Sequence, residues 1–208
     1  MTIWEAVTWD VARAGGFTAY ALLTLAVVEG LALSLRWQTN RWPRIINAEL
    51  HNFLTLLAVI FTGIHILAVT IDPYTAFGLN EILVPLASHY RPLWMAFGIV
   101  ALYLGLAIGL STWLRPRIGY ALWRRLHVLT LVLYGLVTVH GIFTGTDTQT
   151  WWAVGIYAAS LVAVGIPLAY RLAPQPPAPV KHPSNAGVPG TRPGPPPART
   201  TYLPSRQA

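Results

Sequence analysis

The chain alternates long apolar runs with short polar interruptions. Five runs stand out, at about residues 14–35, 48–70, 93–114, 121–143 and 151–170. Each is close to the roughly 20 helical residues needed to cross a bilayer core about 30 Å thick. The interruptions carry residues that stop a helix: Pro43 among Arg36, Arg41 and Arg44, then Asp72-Pro73, Arg115-Pro116-Arg117 and Gly145-Thr146-Asp147. The longest interruption, 71–92, contains a segment Leu79–Leu86 that reads as a short interfacial helix. The pattern predicts an all-α fold, a polytopic transmembrane helical bundle of about five spans.

Composition agrees with the pattern. Hydrophobic residues make up 54% of the chain and charged residues only 10%, whereas soluble chains carry roughly 25% charged residues. There is no cysteine, which excludes disulfides, thiolate metal sites, iron–sulfur clusters and thioether-attached haem. From Ala173 onward the character changes: 11 of the 17 prolines fall in 173–208. Such a segment buries too little apolar surface to order itself and is predicted to be a disordered tail. His182 lies in it and is given no role. At the other end, residues 1–13 contain Glu5 and Asp10 and no basic stretch before the first apolar run, so no cleaved signal peptide is expected. The domain plan is therefore an outer N-terminus at 1–13, a membrane domain at 14–172 and a tail at 173–208.

The net charge of +7 does not point to nucleic acid, because the arginines lie beside helix ends. The loop after the first span holds Arg36, Arg41 and Arg44, and the turn region before the fourth holds Arg115, Arg117, Arg124 and Arg125. The remaining two loops hold only Arg91. By the positive-inside rule this sets the N-terminus outside and the C-terminus in the cytoplasm, in a plasma (inner) membrane.

Four histidines fall within apolar runs, and an ionisable group at membrane depth needs a reason. His51 and His65 are 14 residues apart, about 21 Å along a helix, and return to nearly the same face. His127 and His140 are 13 apart, about 20 Å. The second and fourth spans run in the same direction, so His51 is level with His127 and His65 with His140. Each level can clamp one iron from both sides, giving two non-covalent b-type haems near opposite membrane faces. Thirteen ideal helical residues leave His140 about 140° from the face of His127. The fourth span is therefore expected to be irregular, with Gly135 and Gly141 as candidate positions.

Companion residues fit this chemistry. Haem propionates need cations at the membrane surface. Arg44, Arg124 and Arg125 are candidates for the inner haem and Arg91 for the outer one. Each is equally a topology anchor. Asn52 and Trp123 neighbour the inner ligands. Glu29 is the one carboxylate deep in a span, able to snorkel, pair with Arg124 or Arg125, or take part in proton uptake. His89, in the outer loop, reads as a solvated histidine.

His51-x13-His65, Trp123-Arg-Arg-Leu-His127-x12-His140-Gly141 and Thr144-Gly-Thr-Asp147 together resemble the ferric reductase-like transmembrane domain. This superfamily includes ferric-chelate reductases, NADPH oxidase membrane domains and the haem subunits of methionine sulfoxide reductase systems. The resemblance implies that the paired histidines ligate two b haems and that 14- and 13-residue spacings occur together. Fuller members have six spans and a flavin- and nicotinamide-binding domain. This chain has five spans and no Gly-x-Gly-x-x-Gly. The resemblance thus implies an electron conduit, an oxidoreductase subunit that takes electrons from a flavoprotein (FMN or FAD on a partner chain) or from a quinol. It would pass them to an external acceptor. A quinol-oxidising cytochrome b anchor and a non-haem metal transporter are the competing readings.

Overall fold

The computed structural model describes residues 3–39, 41–73 and 77–173. The segment 174–208, expected to be a disordered tail and containing His182, lies outside the described residues. The described chain is helical, with no strand among its residues. The elements are α1 (Ile3–Ser34), α2 (Arg44–Ile71), α3 (Leu79–Leu83), α4 (Pro92–Trp113), α5 (Arg115–Ile118), α6 (Tyr120–His127), α7 (Thr130–Thr144) and α8 (Trp151–Leu172).

Five helical segments are long and apolar enough to cross a membrane: α1, α2, α4, α6–α7 taken together, and α8. The chain is a multi-pass membrane protein. Its outward face is that of a lipid-solvated bundle. Phe53, Leu56, Val59 and Leu67 on α2 are each more than half exposed, as are Leu106 on α4 and Ile166 on α8. An aqueous protein rarely leaves so continuous an apolar surface bare.

α1 begins at Ile3 rather than at the expected start of the first span near residue 14. The added turns are polar enough to leave the apolar layer, and they are held there. Thr8 donates to Asp72 Oδ1 at 2.7 Å, joining the start of α1 to the end of α2. Arg13 donates from Nε to Asp147 Oδ2 at 2.6 Å, joining α1 to the loop before α8. Asp147 was visible in the sequence only as the end of a motif; here it receives a cation from the opposite end of the chain.

The packing is organised in two halves around α1. α1 and α2 form a long antiparallel pair, while α4 packs on α7, and α7 and α8 close on the remaining face of α1. Small residues at Gly15 and Gly16 let the α1 and α2 backbones approach, as is usual between membrane helices. The central core is Tyr20, Val27 and Leu31 of α1 with Tyr134 of α7 and Tyr157 and Val164 of α8. Within it a chain of hydroxyls is fully satisfied. Tyr134 and Ser160 lie 2.6 Å apart, Thr24 and Ser160 2.8 Å, and Thr138 donates to Tyr20 at 3.3 Å. No water reaches this depth, so each hydroxyl must find a protein partner.

The fourth span is broken, as its histidine spacing requires, but not at a glycine. α6 ends at His127 and α7 starts at Thr130, with Val128 and Leu129 forming a turn between them. There Leu129 N–H bonds to Leu126 O and Leu131 N–H to Val128 O, both three residues back. This is 3₁₀ winding, about 120° per residue instead of 100°. Three or four such residues recover roughly 60–80° of the 140° shortfall. That leaves the 13-residue pair within about 20–40° of the alignment of the 14-residue pair. Gly135 and Gly141 lie inside the regular helix α7. The break sits directly after His127 because a turn there re-aims everything that follows.

Candidate functional site

Each of the four membrane histidines lies on the predicted helix, and His51 and His127 come together. Their ring centroids are 6.1 Å apart with planes crossed at 73°. At the other level His65 and His140 are each bonded to a different neighbouring helix, His65 to Ala12 O on α1 and His140 to Trp94 O on α4. α2 packs closely on α1, and α7 on α4 and α1; α2 and α7 do not pack closely on each other.

Three of the four imidazoles are fixed in the same way. His51 Nδ1 lies 2.8 Å from Ala26 O, His65 Nδ1 2.8 Å from Ala12 O, and His140 Nδ1 3.0 Å from Trp94 O. A carbonyl only accepts, so Nδ1 carries the proton and Nε2 keeps its lone pair. That tautomer is the one a metal-binding histidine needs.

Beside each carbonyl, four residues further along, stands a glycine: Gly16 after Ala12, Gly30 after Ala26, Gly98 after Trp94. The geometry explains it. A helical carbonyl points toward residue i+4, so a ring that donates to it must lie against that residue. A Cβ on Gly16 would stand 3.0 Å from His65 Nδ1, and on Gly30 3.3 Å from His51 Cε1. On Gly98 it would stand 2.7 Å from both Cε1 and Nδ1 of His140. These positioning residues escaped the sequence reading, although a signal was present. Ala12-x3-Gly16 and Ala26-x3-Gly30 repeat at an interval of 14, the interval of His51 and His65.

His127 is the exception. Its Nδ1 is buried and has no hydrogen-bond partner. Instead the ring stacks on Trp123, with centroids 5.0 Å apart and planes at 27°. Trp123 is held in turn by its indole N–H, 3.2 Å from Thr112 Oγ1, and by the Arg115 guanidinium, 4.6 Å above its ring.

The arginines named from the sequence divide into two kinds. Arg44, Arg124 and Arg125 are exposed at the end of the bundle where His51 and His127 lie, and none forms an ion pair. Arg91, at the other end, donates to Phe143 O and lies over the Tyr90 ring, 5.2 Å from its centroid. It clamps the outer end of α7 three residues beyond His140. Glu29 pairs with neither Arg124 nor Arg125, and its Oε2 is buried without a partner. Asn52 is exposed. His89 is engaged outside the membrane layer: its Nδ1 and backbone N–H both approach Glu81 Oε1. These donors, His89 Nδ1 foremost, hold the Glu81 carboxyl below its ordinary pKa.

Among the described residues no group of three or more His, Cys, Asp or Glu gathers. His51 and His127 come together as a pair from different helices.

The helices form a membrane bundle in which the His51 and His127 rings come together. Residues 15–138 match the family of ferric reductase like transmembrane components. The chain belongs to that family, and membership supports a membrane-embedded electron-transfer role. No curated protein and no solved structure matches the chain.

Proposed function

We propose that the chain is the membrane subunit of a ferric reductase-like oxidoreductase, carrying electrons through two non-covalent b-type haems. His51 and His127 would hold one and His65 and His140 the other. The observation that carries this is the His51–His127 geometry. With a metal–imidazole bond of about 2 Å on each side and ring centres roughly 1 Å behind the nitrogens, two axial imidazoles sit about 6 Å apart. The observed separation is 6.1 Å.

Three further features fit the group. Nε2 is the free nitrogen on His51, His65 and His140. Two protein ligands at each level leave the other coordination positions to be filled by something else, as a porphyrin does. Arg44, Arg124 and Arg125 are unpaired cations suited to inner propionates. Arg91 is available for the outer one only if it leaves Phe143 O.

When bound, haem iron supplies a one-electron couple with both axial positions filled. The chain fixes the ligand tautomers, spaces the two levels and insulates them from water and lipid. The donor would be a flavoprotein or a quinol at the arginine-rich face, taken as cytoplasmic, and the acceptor would lie beyond the opposite face. The membrane would be the plasma (inner) membrane.

The test is a reduced-minus-oxidised spectrum of the purified protein with haem counted per chain. Two b haems are expected, falling towards one in His65→Ala and in His127→Ala. A preparation expressed with ample haem that carries none would overturn the proposal.

A further inference from the structure

One feature of the arginine-rich face goes beyond topology. At the turn joining α4 to α6, Arg115 lies over the Trp123 ring at 4.6 Å and over Tyr120 at 5.6 Å. The Trp123 ring stacks on His127 at 5.0 Å. Guanidinium, indole and imidazole form one continuous stack from the exposed end of the bundle to a histidine of the inner pair. Arg117 is exposed beside it, 5.7 Å over Trp113.

Charge at the two ends of the bundle is handled differently. At the outer end Arg13 is paired with Asp147 and Asp10, and Arg91 is spent on a carbonyl. At the inner end Arg36, Arg44, Arg115, Arg117, Arg124 and Arg125 form no ion pair, and the only carboxylates on that half are Glu29 and Glu49. A topology signal needs arginines. It does not need them left unpaired around the tryptophan whose ring stacks on His127.

We infer that this face docks an acidic, soluble one-electron carrier protein, with the Arg115–Trp123–His127 stack as the point of electron entry. The inference rests on the haem reading above and names its partner. The carrier loses one electron and one ferric iron becomes ferrous, so the step balances without a proton or any bond made or broken. The stack runs without interruption from the exposed Arg115 to His127. The arginine field orients the carrier over that path. Fields of this kind raise association rates by about 10- to 1,000-fold at low salt.

The experiment uses the full chain in nanodiscs of zwitterionic lipid, with reduced flavodoxin as the acidic probe. Binding is followed by interferometry and haem reduction by stopped flow. Both are expected to weaken at least tenfold as ionic strength rises through about 0.1 M, where the screening length is about 10 Å. Arg36→Gln with Arg117→Gln is expected to cause a similar loss at low salt, with haem per chain and reduction by dithionite unchanged. Arg36→Lys with Arg117→Lys, which keeps the charge, is expected to retain docking. Binding and rate indifferent to salt and to the double Gln change would overturn the inference. So would a double Gln variant that loses only its affinity for anionic vesicles, because the patch would then be a lipid anchor. A wild-type protein without haem would sink the haem reading instead, and carrier binding would still be measured independently.

Discussion

The sharpest consequence of the site concerns Gly98. Replacing it with alanine puts a Cβ 2.7 Å from Cε1 and Nδ1 of His140. Ordinary contact begins near 3.4 Å, so the ring must retreat by about 0.7 Å. His140 Nδ1 is bonded to Trp94 O at 3.0 Å, and the same retreat stretches that bond towards about 3.7 Å, beyond hydrogen-bonding range. Losing it costs about 1 kcal/mol, and overpacking adds about 1–3 kcal/mol. The outer pair is thus weakened by about 2–4 kcal/mol, or at least tenfold in affinity.

The assay is haem per chain at limiting haem, compared along a graded series of glycines. Gly98→Ala is expected to lose about one haem of the two proposed. Gly30→Ala, with a 3.3 Å approach to His51 Cε1, is expected to show a smaller loss from the inner level. Gly63→Ala and Gly109→Ala meet nothing within 4 Å and are expected to keep full loading. A Gly98→Ala protein with both haems and an unchanged spectrum would refute the reasoning, since the ring could not then be held where the structure has it.

Two further consequences lie away from the histidines. Tyr134→Phe removes the hydroxyl that bonds Ser160 at 2.6 Å in the α1–α7–α8 core. A loss of about 0.6–1.7 kcal/mol is expected, read by unfolding in mixed micelles, and no loss would mean the hydroxyl chain is not coupled to stability. In the outer loop the Glu81 carboxyl is held below its ordinary value of 4.5 by His89, Gly78 and the His89 backbone. A depressed carboxylate contributes stability that is present above the unfolded value and lost as pH falls through the folded one. Amide exchange across 77–90 is therefore expected to stay slow down to about pH 4.5 and to quicken below it. Exchange that is flat through that range would remove Glu81 from the account of the loop.

Much of this protein is legible in its sequence, because lipid imposes constraints that act residue by residue. Run length and arginine placement alone predict five spans, and four histidines in two matched pairs single out the site residues. The need for an irregular fourth span also follows from counting residues. Its location does not. The expectation fell on Gly135 and Gly141, whereas the chain turns at Val128–Leu129, two residues with no breaking propensity. The turn there is marked by hydrogen bonds from Leu129 N–H and Leu131 N–H to carbonyls three residues back.

Partners are decided likewise. Nothing local in Ala12, Ala26 or Trp94 marks their carbonyls as acceptors for His65, His51 and His140. Antiparallel pairing brings them there, and the adjacent glycines become necessary only then. Arg91, in the sequence a candidate for a propionate or a topology anchor, bonds Phe143 O at the end of α7, while Arg13, which the sequence left unremarked, meets Asp147 from far along the chain. The sequence by itself determined which segments enter the membrane and which side chains are candidates for the chemistry, since both depend on composition and spacing. Only the tertiary structure decided which atoms orient those side chains, because a hydrogen bond between helices depends on register and approach that no single segment contains.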